Sequence, residues 1–313
     1  MSDILLLGGT GFVSKACAKY LISRGYNIDI LTRGFRKVDY DGFVNHIICD
    51  RKNLTEMKKN LQDKNYSYIL DFSGYVKEDI EVLFESIKNI KTLKRYVFCS
   101  SAAVYEASDN VVNEEHTLKP NNLWGDYANG KLECENYIFS LIKEQNLHAT
   151  ILRPSYIYGA ENTLYRESYF FDRILNDEII PIPDTDAKVQ FINIIDVVKN
   201  FECAMFNEND QTAYNLSTRE NVTFEEFINL CGKVVGKEPK IKKISKPSTD
   251  TRSYFPFRDV NFCFDITKLR NNGLHSPMYK LEQGLTFAYR WYNSEKPELS
   301  DNKMNSIDLL ANN

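Results

Sequence analysis

Tyr127 and Lys131 stand four residues apart in the segment DYANGKLECENYIF, which reads as helix. One helical turn separates them, so both side chains fall on one face. A tyrosine of ordinary pKa, about 10, trades protons poorly near neutrality. A nearby ammonium favours the phenolate. Tyr127 can then take a proton from an alcohol or give one to a ketone oxygen. Such a pair is common by chance, and its value here comes from position. It follows SSAAVY by a length that brings a hydroxyl at a strand end to the tyrosine. Ser101 is that hydroxyl, expected to donate to the substrate oxygen; its plain structural role would be a turn cap.

Chemistry of this kind needs a hydride carrier, and the N-terminal region offers a place for one. Gly8-Gly9-Thr10-Gly11-Phe12-Val13-Ser14 follows the run ILLL and opens a helix pattern. The spacing is that of the G-x-x-G-x-x-G turn of a dinucleotide fold, with Ser14 at the third glycine. The first glycine permits the tight turn, and the second brings backbone amides to a pyrophosphate at a helix N-terminus. Serine is small enough for the close packing the third glycine serves. An oxidised nicotinamide would favour the Tyr127 phenolate further, and Lys131 would also hold its ribose. The second apolar run ends at Leu31, and Thr32-Arg33 follow, with Arg36 and Lys37 beyond. A carboxylate there would accept from the ribose of NAD, whereas a guanidinium pairs with a 2′-phosphate. This favours NADP(H), with NAD(H) as the alternative; a merely stacked or solvated Arg33 is the plain reading. Asp50 is placed either to accept from the adenine amino group or to cap the next helix.

These residues need elements to hold them. Ile4–Leu7, Ile28–Leu31, Val44–Cys49, Tyr68–Phe72, Tyr96–Cys99 and Ala149–Leu152 read as strands. Ala16–Arg24, Leu54–Gln62, Asp79–Asn89 and Lys131–Gln145 read as helices between them. The alternation predicts an α/β fold, a Rossmann doubly wound parallel sheet with right-handed crossovers. After Gly159 the rhythm breaks. A helix over Tyr169–Asn176, a strand-to-helix junction at 191–198 and helices at 222–236 and 279–293 suggest a smaller C-terminal substrate-binding lobe. The expected division is 1–159 plus about 191–218 for the dinucleotide domain, and 160–190 plus about 219–293 for the lobe. Residues 294–313 read as a loosely held polar tail.

Composition narrows the partners. The chain has 313 residues, 43% of them hydrophobic, enough for a sizeable core. A net charge of −4 gives no electrostatic footprint for nucleic acid, and none is expected as a partner. The seven cysteines show no C-x-x-C spacing and the four histidines no H-x-x-x-H, so buried thiols and no metal are expected. No leader or membrane-spanning run is visible, which points to a cytoplasmic protein.

Taken in order, GGTGFVS, SSAAVY, Tyr127-x-x-x-Lys131 and LRPSYIYG resemble the extended short-chain dehydrogenase/reductase superfamily, over residues 4 to about 285. Within it the sequence is similar to the NAD-dependent epimerase/dehydratase family acting on sugar nucleotides. The resemblance implies that Gly8, Gly11, Phe12 and Val13 hold the pyrophosphate and that Asp50 and Arg51 contact adenine. It implies that Phe72, Ser73 and Gly74 line the cofactor near the ribose, and that Pro154 to Ile157 pass the nicotinamide. Ser101 becomes the catalytic hydroxyl. Gln190, Arg258 and either Arg166 or Arg173 would reach the diphosphate of a nucleotide-sugar substrate. Relatives commonly form homodimers through the helices here at about 79–91 and 127–145, and a homodimer is expected. Three departures stand out: Ser14, the missing ribose acid, and Val189 where many relatives carry an arginine.

The reaction is narrowed by what is missing. Relatives that dehydrate carry Asp-Glu after the catalytic hydroxyl; here Ala102 and Ala103 stand there and cannot move protons. Ala103 also supplies no acid–base partner for epimerisation at C3 and C5. Reduction of a 4-keto (6-deoxy) nucleotide sugar such as a dTDP-4-keto-6-deoxyhexose is favoured, with a 4-epimerase holding tightly bound NAD as the alternative. DFSGY, LWGDYANGK, YRESYFFDRI and FPFRDVNF are also similar to a subgroup that includes chloroplast stem-loop-binding proteins, some of which bind RNA. An RNA-binding protein without turnover is therefore the reading from another class.

Overall fold

The computed structural model describes residues 3–87, 90–208, 212–245 and 250–312. The run ILLL forms β1 (Ile4–Leu7) and is buried throughout, as a strand covered on both faces must be. The alternation continues with α1 (Phe12–Ser23), β2 (Ile28–Thr32), β3 (Asn45–Ile48), α2 (Leu54–Leu61), β4 (Tyr68–Asp71) and α3 (Lys77–Ser86). Then come β5 (Arg95–Cys99), α4 (Gly125–Gln145), β6 (Ala149–Pro154) and β7 (Tyr156–Tyr158). The second half contains α5 (Glu167–Leu175), β8 (Ile179–Pro183), β9 (Lys188–Val189), β10 (Phe191–Asn193), α6 (Ile194–Met205) and β11 (Thr212–Leu216). It closes with β12 (Val222–Thr223), α7 (Phe224–Val235), β13 (Lys240–Ile244), α8 (Thr267–Asn271), α9 (Leu281–Glu295) and α10 (Ile307–Asn312).

Seven strands form one parallel sheet in the order β11-β6-β5-β4-β1-β2-β3. This is the expected Rossmann fold. The chain order reverses between β1 and β4, so a crevice opens at their carboxyl ends, where such sheets bind ligands. One face is covered by α1 and α6, whose Ala18, Leu21, Val197 and Phe201 pack on the strands. The other is covered by α2, α3 and α4 through Met57, Leu83, Ile138 and Leu141.

A second core lies beyond the carboxyl edge of the sheet and is built on aromatic side chains. Phe191 stacks on Phe227 with centroids 4.2 Å apart, and Phe170, Phe255 and Phe257 surround them. Each such ring removes a large apolar area from water. β8 pairs in parallel with β13, β9 pairs antiparallel with β12, and β7 pairs with β10.

Three expectations change. Helix α4 begins at Gly125, before the apolar pattern that marks it from Lys131 onward, and α1 begins at Phe12 rather than Ala16. The end of the helix expected over 79–89 falls on residues 88–89, outside the described residues. The C-terminal segment, expected to be loosely held, is packed instead. Met304 and Ala311 are buried, the Ser306 N–H donates to the Ser253 carbonyl at 2.9 Å, and Arg252 pairs with Asp301 at 2.7 Å.

Candidate active site

The glycine turn closes the carboxyl end of β1. Gly8 and Gly9 have φ of +122° and +124°, a region side chains avoid. Ser14 packs beneath them: a Cβ on Gly8 would lie 3.0 Å from that of Ser14. The Ser14 hydroxyl accepts from the Gly11 N–H and donates to the Gly11 carbonyl, both at 3.2 Å. The serine thus replaces close glycine packing with a local brace. The first intrahelical bond runs from the Lys15 N–H to the Gly11 carbonyl, which leaves the amides of Phe12 and Val13 ahead of the ladder. Thr10 lies in the turn, half-buried. A pyrophosphate fits this cradle of free amides and side-chain-free backbone.

At the end of β2, the Thr32 hydroxyl is bonded to His46 Nε2 at 2.8 Å and accepts from the Gly34 N–H at 3.1 Å. Arg33 is exposed and stacks on Phe35, 5.1 Å from the ring centroid. No carboxylate occurs from Thr32 to Lys37. Asp50 accepts from the Lys52 N–H at 3.1 Å, while the cap of α2 is supplied by Asn53.

Arg51 departs from expectation. Its guanidinium points into the core and donates to both oxygens of Asp71, at 2.7 and 2.9 Å, and to the Ser73 hydroxyl at 2.8 Å. It is therefore committed to the sheet rather than turned towards an adenine. Burial would raise the Asp71 pKa, yet the Arg51 charge holds it below the ordinary carboxylate value. Asp71 also receives the N–H groups of Ser73 and Gly74, each at 2.9 Å, and so shapes the turn after β4. Phe72 is buried against Phe201, centroids 4.4 Å apart, within the core.

The proposed reacting residues converge above β4 and β5. Lys131 is buried and donates to the carbonyls of Gly74 and Cys99, both at 2.7 Å. Two of its three N–H groups are thereby used, leaving one for a ribose hydroxyl. Ser101 accepts from the Ala103 N–H at 3.1 Å, so it caps its turn while its own O–H stays available to donate. Tyr127 is 47% exposed as a residue, yet burial of its hydroxyl raises the pKa; the Ser101 hydroxyl and the Arg166 charge act in the opposite direction. Lys131 is not among the charges that act on the Tyr127 hydroxyl; its ammonium acts instead on Tyr75 and Cys99, which lie beside it. Pro154 ends β6 and Ile157 lies in β7, on the side facing β10.

The arginines sort differently from expectation. Gln190 is fully engaged, accepting from the Phe264 N–H and donating to Asn221, both at 2.7 Å. Arg173 is turned to the Ile179 carbonyl at 2.7 Å and to Glu178 at 3.1 Å. Neither is free to meet a diphosphate. Arg166 and Arg258 remain, half-buried and without a side-chain ion pair or hydrogen bond among the described residues. Arg166 lies 5.3 Å over the ring of Tyr156 and Arg258 lies 5.8 Å over Trp124, the residue that precedes α4. Burial lowers the pKa of Arg166.

Sequence reasoning missed a buried network under this site. Glu135 accepts from Arg153 and from Ser100, and Arg153 also donates to the Tyr105 hydroxyl at 2.6 Å. Its signal was present: Arg153 sits in the apolar strand ATILRP, where a charge must be paired.

The family model described as the NAD dependent epimerase/dehydratase family matches residues 4–217. The chloroplast stem-loop binding protein of 41 kDa b of Arabidopsis thaliana is 29% identical over 305 residues, covering 91% of this chain and 78% of that protein. The dTDP-4-dehydro-6-deoxyglucose reductase of Escherichia coli is 22% identical over 255 residues, covering 72% of this chain and 80% of that one. The crystal structure of a UDP-glucose 4-epimerase from Thermotoga maritima, with UDP-glucose, superposes with a TM-score of 0.79 at 22% identity, over 94% of this chain and 99% of that one. Among the described residues no helix is long and apolar enough to cross a membrane.

Proposed function

Because the chain belongs to the NAD-dependent epimerase/dehydratase family, we propose that it reduces a 4-keto nucleotide sugar, with Tyr127 as the general acid. The observation that carries this reading is the hydrogen bond between the Ser101 and Tyr127 hydroxyls, with the Lys131 ammonium fixed on Gly74 and Cys99 one helical turn along. A bound nicotinamide supplies the hydride. Ser101 donates a hydrogen bond to the ketone oxygen and holds it at Tyr127. Tyr127 gives its proton to that oxygen as the carbon accepts the hydride, so the ketone becomes an alcohol. Lys131 orients the ribose through its remaining N–H. Arg258 and Arg166 offer charge to the diphosphate.

Ala102 and Ala103 are buried and carry no proton-transfer group, which argues against elimination of water. NADP(H) is the favoured carrier, since Arg33 is exposed and no carboxylate occurs from Thr32 to Lys37 to repel a 2′-phosphate. A retained cofactor, and hence a 4-epimerase, is the second reading. Lys15 favours it: its ammonium joins Asp39 at 2.7 Å and Glu161 at 2.9 Å, across the start of α1. An RNA-binding role draws support from the chloroplast relative, and the acidic charge opposes it. Two copies are proposed to pair through α3 and α4.

The test is to ask whether dinucleotide copurifies, and then to follow NADPH consumption with a dTDP-4-keto-6-deoxy sugar. Steady consumption is expected, and Tyr127→Phe should lower turnover about 10²- to 10⁴-fold while leaving dinucleotide affinity intact. Firmly held NAD with no use of added NADPH would move the assignment to the epimerase. Full turnover by Tyr127→Phe would remove both.

A further inference from the structure

Glu135 lies on α4 one turn beyond Lys131 and two beyond Tyr127, on the same face, and is fully buried. Its hydrogen bonds and ion pair among the described residues run to Ser100 and Arg153, not to either of those side chains. A carboxylate withdrawn from water must be paired, and its partners all belong to the serine turn or its support. Ser100 donates its hydroxyl to Glu135 Oε1. Arg153, from β6, donates through Nε to Oε1 at 3.0 Å and to Oε2 at 3.2 Å. Through Nη1 the same guanidinium donates to the Tyr105 hydroxyl at 2.6 Å, and that hydroxyl donates to Asn215 at 2.8 Å. Ser100 and Tyr105 flank the short 3-10 turn over Ala102–Val104 that Ser101 caps. One carboxylate therefore holds both ends of the turn, directly at Ser100 and through Arg153 at Tyr105.

The helix that carries this carboxylate also carries Tyr127. The spacing at which the Ser101 and Tyr127 hydroxyls meet is thus braced from within the core by this clamp, while Asn121, which donates to the Ala103 and Tyr105 carbonyls and to Asn129 of α4, links the turn to the helix from the other side. We propose that Glu135 is a positioning residue of the hydride-transfer reaction, fixing the Ser101 hydroxyl against that of Tyr127 through Ser100 and the Arg153–Tyr105 arm. This rests on the reading of Ser101 and Tyr127 as the reacting pair. Glu135 itself moves no proton and touches no substrate.

The test compares Glu135→Gln in the full chain with the same change made in a Ser101→Ala background. Glutamine keeps the shape and one acceptor oxygen and removes the charge that holds Arg153. Alone, it should lower kcat about tenfold with KM for the dinucleotide unchanged. It should also move the Tyr127 limb of the pH profile upward, as Ser101→Ala does, because the Ser101 hydroxyl no longer favours the phenolate. In the Ser101→Ala background the further loss should be less than about twofold, because the clamp has no hydroxyl left to place. Equal losses in both backgrounds would overturn the proposal, as would wild-type kcat in a folded Glu135→Gln protein. If that variant fails to fold, Ser100→Ala, which removes only the direct arm, takes its place in the same comparison. Dinucleotide binding without turnover by the unaltered protein would overturn the reacting-pair reading and the clamp with it.

Discussion

At the residue scale, Tyr127 is the group whose protonation the site must control. Burial raises its pKa, and Arg166 is one of two neighbours that push it back. Replacing Arg166 with leucine should therefore raise it further. In the oxidising direction the phenolate is the active form, so the rising limb of kcat/KM should move to higher pH. In the reducing direction the phenol is active, so the falling limb should move to higher pH as well. A shift to lower pH in either direction would contradict this. The candidate reacting residues can be picked out in the sequence because their types and spacing carry the chemistry. The orientation of Arg51, Arg173 and Gln190 was not. A sequence places a cation near a site, but its direction depends on whether a buried carboxylate such as Asp71 competes for it.

At the element scale, α4 delivers Tyr127, Lys131 and Glu135 on one face, and Gly130 lets it come close to the turn after β4. A Cβ at Gly130 would collide with the backbone carbonyl of Tyr75, which cannot yield as a side-chain tip can. Gly130→Ala is expected to cost about 1–3 kcal/mol in denaturant unfolding. It should also weaken dinucleotide binding, because Lys131 is anchored on Gly74 in the same turn. Unchanged stability and affinity would show that α4 can shift without consequence. The sheet strands were legible almost to the residue, since β1, β2 and β5 are apolar runs covered on both faces. The start of α4 was not marked by apolar periodicity. Its first turns face the crevice rather than the core, and a helix face that serves chemistry shows no apolar stripe.

At the scale of the whole molecule, the C-terminal segment joins the aromatic second core through Met304, Ile307 and Leu310. Asp301 neutralises Arg252, and α10 packs on β8. A cavity of about 420 Å³ is shared by Arg166, Arg252 and residues 300–303. Met304→Ala is expected to lower stability by about 2 kcal/mol, read as a lower denaturant midpoint. No change would mean that the segment is held by its polar contacts alone. This packing was illegible in SEKPELSDNKMNSIDLLANN because its few apolar residues, Met304 and the short run at 307–311, are too sparse to set a period against the polar residues around them. The aromatic lobe was only coarsely visible for a related reason. Its rings come from β10, α5, α7 and the 254–264 segment, and sequence spacing does not show which distant rings will stack.

Trp124 is one of two tryptophans in the chain. It packs on the aromatic second core just before α4, beneath Arg258 and 5.1 Å from Phe262. The other, Trp291, lies on α9. With Trp291 replaced by phenylalanine, the tryptophan emission of the protein would report from Trp124 and Arg258 alone. An anion drawing Arg258 off the indole should change that emission, so occupancy becomes readable by eye of a fluorimeter before any substrate has been identified.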